Sequence, residues 1–272
     1  MVEVMPGLAG KRALVIGGGG PGNGGATSRA LAAGGASVVV ADYEPDRASG
    51  LAAELTASFG VKAFGLQVDV RDAAAVDAVV AEAAGLLGGL DTLVTVVGGF
   101  TLFTKWARLT DTSDEDWNLI ITLNLDYVYQ ATRAVLRIFL NQGTGGTVVA
   151  VGSMSGEVSS PYAAAYGAAK AGVVSLARSV ALEYARDGVR MNVVALGATV
   201  SDANRAIDST ALGYHDTIPM GRLGENREIA NTVAFLASDA SSYITGVSVP
   251  VDGGVTKRFP VPVPMAPKHV AG

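Results

Sequence analysis

The chain has 272 residues, 49% of them hydrophobic and 17% charged, a balance that excludes a disordered or collagen-like chain and allows one large buried core. Its formal net charge of −5 argues against a phosphate-backbone partner, so no nucleic acid is expected. With no cysteine and only two histidines, disulfides and thiol nucleophiles are excluded and no metal site is expected; the chemistry must fall to hydroxyls, carboxylates, lysine or a bound organic cofactor.

From the N-terminus, Met1 to Gly7 carries Glu3 and lacks an apolar signal core. Later apolar runs such as Met191 to Leu196 fall short of the ~18 residues a membrane span requires. A cytoplasmic location without a membrane partner is therefore expected. Arg12 to Ile16 reads as a strand, followed by glycines and a helix to about Ala33. Ser37 to Ala41 is apolar without alternation, as a strand covered on both faces should be. Val61 to Val68, Thr92 to Val97, Thr147 to Val151, Arg190 to Ala195 and Val247 to Val251 repeat the theme. Helices over 45–58, 72–87, 114–140, 162–186 and 226–238 fall between them. This alternation predicts an α/β fold, a doubly wound parallel sheet with right-handed crossovers, in a single domain over 1–254. Residues 255–272 form a Pro-rich tail: Arg258 to Pro267 holds four of the ten prolines and can continue neither helix nor strand. Whether the tail lies over its own domain or crosses to a neighbouring subunit stays open.

The glycine run from Gly17 to Gly25, broken by Pro21 and Asn23, sits between the first strand and the first helix. There it lets the backbone approach a pyrophosphate, while the helix N-terminus supplies N–H groups and a positive dipole end. The second strand ends in Ala41-Asp42. A carboxylate at that place accepts hydrogen bonds from the adenosine ribose and repels a 2′-phosphate. The loop holds no Lys or Arg to receive that phosphate, so the expected cofactor is NAD.

Tyr166 and Lys170 stand four residues apart, on one helical face. Of eight tyrosines only this one has a lysine four residues later, and Ser153 lies thirteen residues upstream, just after a predicted strand. In this order the residues resemble the short-chain dehydrogenase/reductase family over residues 10–254. The resemblance implies a Rossmann-type, seven-stranded sheet, assembled as a homotetramer or dimer. Gly18, Gly22 and Gly24 match the family's glycine loop, with Pro21 and Asn23 inside it, and Asp69-Val70 matches the pair that meets adenine. Asn124, Ser153, Tyr166 and Lys170 fall on its catalytic positions. The backbone of Val97-Gly98, with Thr199 and Ser201, falls on later cofactor contacts. Met220 to Gly224 and Val251 to Gly254 resemble late signature segments.

The roles this implies follow from proton chemistry. A free phenol titrates near pKa ~10, too high for an efficient base at neutral pH. A nearby ammonium and an oxidised nicotinamide favour the phenolate. Tyr166 is then the acid and base, Lys170 supplies charge and holds the nicotinamide ribose, and Ser153 holds the substrate oxygen. Asn124 positions a water between Lys170 and solvent.

The chain departs from the pattern at several places. Gly17 replaces threonine, Asn23 an aliphatic residue, Thr95-Val96-Val97 the usual Asn-Asn-Ala, Leu196 proline, and Ser201 threonine. Apolar valines cannot make the asparagine hydrogen bonds that usually brace the sheet. The substrate is expected to be an apolar alcohol or ketone, lined by Phe100, Phe103, Trp106, Met154, Tyr162 and a closing segment over 202–218. Two other readings stay open: an NADPH-dependent 3-ketoacyl-thioester reductase and a non-catalytic NAD-binding protein.

Overall fold

Seven short strands pair in parallel into one sheet in the computed structural model, which describes residues 6–200 and 213–257. In chain order they are β1 (Arg12–Ile16), β2 (Ser37–Asp42), β3 (Ala63–Gln67), β4 (Thr92–Thr95), β5 (Gly146–Val151), β6 (Val189–Leu196) and β7 (Ser248–Val251). The helices are α1 (Asn23–Ala33), α2 (Pro45–Phe59), α3 (Ala73–Leu87), α4 (Asp114–Ile121), α5 (Tyr127–Gln142), α6 (Ala164–Glu183), the short α7 (Tyr214–Thr217) and α8 (Asn226–Ala237). The strand order is β3-β2-β1-β4-β5-β6-β7. The chain builds outward from β1 to β3, then crosses back over to β4 on the other side of β1. That reversal opens a crevice between the loops following β1 and β4, where ligands of such sheets bind.

The missing alternation in the strands has a direct cause. In β1, Leu14 and Ile16 face one core with residues of α3, α5 and α6. Ala13 and Val15 face another, with residues of α1, α2 and α8. Both faces of the sheet are dry, so both sets of side chains must be apolar. Close approach has shaped the layers too. A Cβ at Gly65 in β3 would lie 2.5 Å from the backbone of Ala48 and Ser49, so α2 seats directly on this position.

The sequence reading differs in one element that matters for the site. The helix expected over 114–140 is two helices joined by a π-helical turn, Thr122–Asp126. The wider turn leaves helical carbonyls without their usual partner, and the Asn124 side chain takes one of them, donating to Ile120 O at 3.0 Å. Periodicity alone cannot register a single extra residue within a turn. Among the described residues no helix is long and apolar enough to cross a membrane. No cluster of three or more His, Cys, Asp or Glu side chains among them is placed to hold a metal ion. Ser201, most of the 202–218 segment and the tail beyond Lys257 lie outside the described residues.

Candidate active site

Gly17 N and Gly18 N both donate to Ala41 O, at 2.7 and 3.1 Å, tying the loop after β1 to the end of β2. Gly17 has φ +85°, a left-handed conformation that disfavours side chains. A Cβ at Gly24 would collide with Gly17 O, so α1 can start this close to the turn only with glycine there. Above the loop, Gly20 and Gly22 face open space. The N-cap Gly22 provides no side-chain bond, and the first turn of α1 holds no acidic residue. Gly25 N already donates to Gly20 O at 3.1 Å, which leaves the N–H groups of Asn23 and Gly24 for an anion. Asn23 Oδ1 is buried without a hydrogen-bond partner, and the residue lines the adjoining cavity. Pro21 is exposed beside it.

Asp42, 9% exposed, closes β2. Its Oδ2 accepts from Gly19 N at 2.9 Å and its Oδ1 from Glu44 N at 3.2 Å. The carboxylate therefore fixes the loop. Arg71 forks onto Asp69, Nε to Oδ1 at 2.9 Å and Nη2 to Oδ2 at 2.6 Å, and the guanidinium lies 5.6 Å from the Tyr43 ring centroid. The fork holds the Asp69 carboxyl below its usual range. The Val70 side chain packs into the core.

The other catalytic candidates converge. A cavity of about 490 Å³ beyond the strand ends is lined by Ser153, Tyr166 and Lys170, together with Asn23, Gly98, Phe100, Trp106 and Thr199. Ser153 follows β5, and its Oγ accepts from Ser155 N at 3.1 Å, so its hydroxyl proton is the one turned toward the Tyr166 phenol and the cavity. Tyr166 and Lys170 project from α6, and Nζ lies 5.6 Å from the phenol ring centroid. Lys170 is 3% exposed, and its Nζ donates to Val151 O at 3.2 Å. Burial lowers its pKa to about 8. Burial raises the Tyr166 phenol, with a hydrogen bond to Ser153 pulling the other way. The lowering of the phenol by its lysine neighbour is thus not a property of the protein alone, because desolvation is the larger influence.

Asn124, fully buried, clamps one residue of the loop after β4: Oδ1 accepts from Gly99 N at 2.9 Å while Nδ2 donates to Gly99 O at 3.0 Å. A Cβ on Gly98, φ +152°, would lie 2.6 Å from Asn124 Oδ1 and 3.0 Å from Lys170 Nζ. Asparagine, lysine and bare backbone therefore meet at that glycine. Sequence reasoning missed Tyr127, whose buried hydroxyl donates to Val97 O at 2.6 Å. It braces the Thr95-Val96-Val97 segment that lacks the family's asparagines, while Asn124 holds Gly99 just beyond it. Ser155, Ser160 and Gly99 also line the cavity unforeseen; the loop of Ser153 was the only signal for the two serines, and Gly98 for its neighbour Gly99. Of the proposed substrate wall, Phe100 and Trp106 face the cavity, while Phe103, Met154 and Tyr162 do not. Tyr162 instead shares a smaller recess with Phe100.

A cavity of about 560 Å³ lies at the opposite, N-terminal ends of the strands, lined by Lys11, Asp91 and Arg190 among others. Its charges are already spent: Lys11 pairs with Asp239 at 2.9 Å, and Arg190 donates to Thr147 Oγ1 and to three main-chain carbonyls. The smaller cavity is the one with converging proton-handling groups.

Known proteins resemble the chain over most of its length. A family model described as enoyl-(acyl carrier protein) reductase matches residues 21–256. The 3-oxoacyl-(acyl-carrier-protein) reductase FabG of Escherichia coli (strain K12) is 37% identical over 247 residues, covering 90% of this chain and 97% of the relative. The 2,5-dichloro-2,5-cyclohexadiene-1,4-diol dehydrogenase LinX of Sphingobium indicum (strain B90A) is 34% identical, covering 91% and 96%. A crystal structure described as a short-chain alcohol dehydrogenase from Sinorhizobium meliloti 1021 superposes with a TM-score of 0.86 at 33% identity, covering 94% of this chain and all of the other. With the parallel sheet, the glycine loop and the Ser-Tyr-Lys cavity in place, these likenesses make the chain a member of the short-chain dehydrogenase/reductase family of oxidoreductases.

Proposed function

We propose that the chain is an NAD-dependent dehydrogenase/reductase that interconverts a secondary alcohol and a ketone, with Tyr166 as the proton-handling group. The observation that carries this reading is the meeting of Ser153, Tyr166 and Lys170 in one cavity at the strand ends. The preference for NAD is supported by Asp42 at the end of β2 and by a glycine loop without lysine or arginine. The residues fit a dinucleotide: uncapped α1 N–H groups face open glycines for the pyrophosphate, and Asn23 Oδ1 waits unpaired at the cavity edge. When bound, the nicotinamide accepts hydride from the carbinol carbon in oxidation and returns it in reduction.

The chain's own residues do the rest. Ser153 Oγ, its lone pair engaged by Ser155 N–H, donates to the substrate oxygen and fixes it beside the phenol. In reduction, the burial-raised phenol of Tyr166 gives its proton to that oxygen. In oxidation the phenol first gives its proton to solvent, and the phenolate then takes the carbinol O–H proton while the Lys170 ammonium offsets its charge. Lys170 keeps one donor on Val151 O, leaving its other protons for the ribose side. Thr199, a cofactor contact by the family resemblance, lines the same cavity.

Tyr166→Phe is expected to lower turnover by roughly 10²–10⁴-fold with NAD affinity nearly unchanged, measured by steady-state kinetics and cofactor titration. Near-normal turnover in that variant would overturn the role. A second reading, reduction of a 3-oxoacyl thioester with NADPH, is favoured by the likeness to FabG. Comparing NADH with NADPH oxidation on an acetoacetyl thioester separates the two. Cofactor binding without turnover on either substrate would leave a non-catalytic NAD-binding protein. The proposed enzyme is cytoplasmic and a homotetramer or dimer, which light scattering of the purified chain tests.

A further inference from the structure

The wall of the cavity divides into two chemistries. From the loop after β4, Phe100 stands against Trp106 with ring centroids 5.0 Å apart at 68°, and against Tyr166 at 6.4 Å and 44°. An apolar ring thus lies directly beside the phenol that handles the proton. From the loop after β5 come three hydroxyls: Ser153, Ser155 and Ser160. They are linked in a chain, with Ser155 N donating to Ser153 Oγ at 3.1 Å and Ser160 Oγ to Ser155 Oγ at 3.3 Å. Ser153 alone suffices to hold the reacting oxygen. The Ser155–Ser160 pair has no part in that step, yet it is held in place. Its position is set by α6, where a Cβ on Gly167 would lie 3.0 Å from Ser160 Cβ.

A linked hydroxyl pair at a cavity wall can both donate and accept, which matches another hydroxyl or a carbonyl. A ligand that reaches it gains those bonds, whereas one that covers it with hydrocarbon leaves them unmade. A flat apolar face beside the reacting carbon suits a ring. We infer that the pocket takes a cyclic secondary alcohol, or the matching ketone, that bears a second oxygen substituent: the reacting oxygen on Ser153 and Tyr166, the second on Ser155 and Ser160, and the ring against Phe100. This rests on the dehydrogenase reading above.

The test uses the purified full chain with NAD, following NADH formation on cyclohexanol and on cis- and trans-cyclohexane-1,2-diol. The better diol should exceed cyclohexanol in kcat/KM by about tenfold or more, the discrimination expected of a site built to bond a substrate hydroxyl. In Ser160→Ala, and separately in Ser155→Ala, that ratio should fall at least about fivefold. Equal efficiency on diol and cyclohexanol overturns the inference. So does an unmoved ratio in both serine variants when their melting temperatures match the parent's. Loss of turnover on every alcohol and ketone, with either cofactor, would overturn the dehydrogenase reading itself, and the inference with it.

Discussion

Lys170 carries an ammonium into the interior beside a phenol, and its hydrogen bond goes to a carbonyl rather than a carboxylate. Its folded pKa, about 8, lies below the ordinary lysine value. The folded state therefore releases this proton before the unfolded chain does. The burial penalty is present in full below pH 8 and is relieved as pH rises toward ~10.5. Lys170→Met should accordingly raise stability at neutral pH, by up to about 3 kcal/mol, and the gain should shrink above pH 8; urea denaturation at several pH values measures it. The same titration should appear in catalysis. Carbonyl reduction in the parent should decline above about pH 8 as the charge beside the phenol is lost, and a pH–rate profile of Lys170→Met should be uniformly low with no such limb. At this scale the sequence was informative about identity and silent about surroundings. Tyr166, Lys170 and Ser153 were recognisable by spacing, yet nothing in the spacing says that Arg71 claims Asp69 or that Tyr127 braces Val97. The second joins residues far apart in the chain; the first joins near neighbours, and side-chain orientation rather than spacing decides it.

The ends of the helices hold much of what positions the site. Helix α3 is capped by Asp72, whose Oδ1 accepts from Ala74 N at 2.8 Å and Ala75 N at 3.3 Å. Asp72→Ala should cost about 1 kcal/mol of stability with little change in catalysis, read by chemical denaturation alongside kinetics. Helix α1 is left bare at its start, which costs stability but keeps its N–H groups for a ligand. Asn23→Asp would put a negative charge there, and the KM for NAD should rise about tenfold, equivalent to ~1.4 kcal/mol, with a smaller rise for an uncharged mimic of the nicotinamide half. Most elements could be read from periodicity to within two residues at each end. The joint between α4 and α5 could not, because one added residue leaves the apolar spacing on either side intact.

Across the whole molecule, two dry faces of one sheet explain why the strand runs were easy to find and hard to order. Apolar composition marks a buried strand without saying which strand lies beside it. The family resemblance implied a seven-stranded Rossmann-type sheet, which the structure bears out, while the order β3-β2-β1-β4-β5-β6-β7 is read from the pairing itself. Packing of the layers is tight enough to test at Gly65. Gly65→Ala would push α2 off the sheet and should lower stability by about 1–3 kcal/mol, seen as an earlier urea midpoint with unchanged substrate preference. The π-helical turn carries a further consequence. Its hydrogen bonds are poorer than those of an ordinary helix, and it persists where the buried Asn124 amide reaches Gly99. Evolution in the laboratory for heat resistance alone should favour losing one residue between 122 and 126. Survivors of that selection would outlast their parent on heating and turn over little, having traded a crooked working part for a straight idle one.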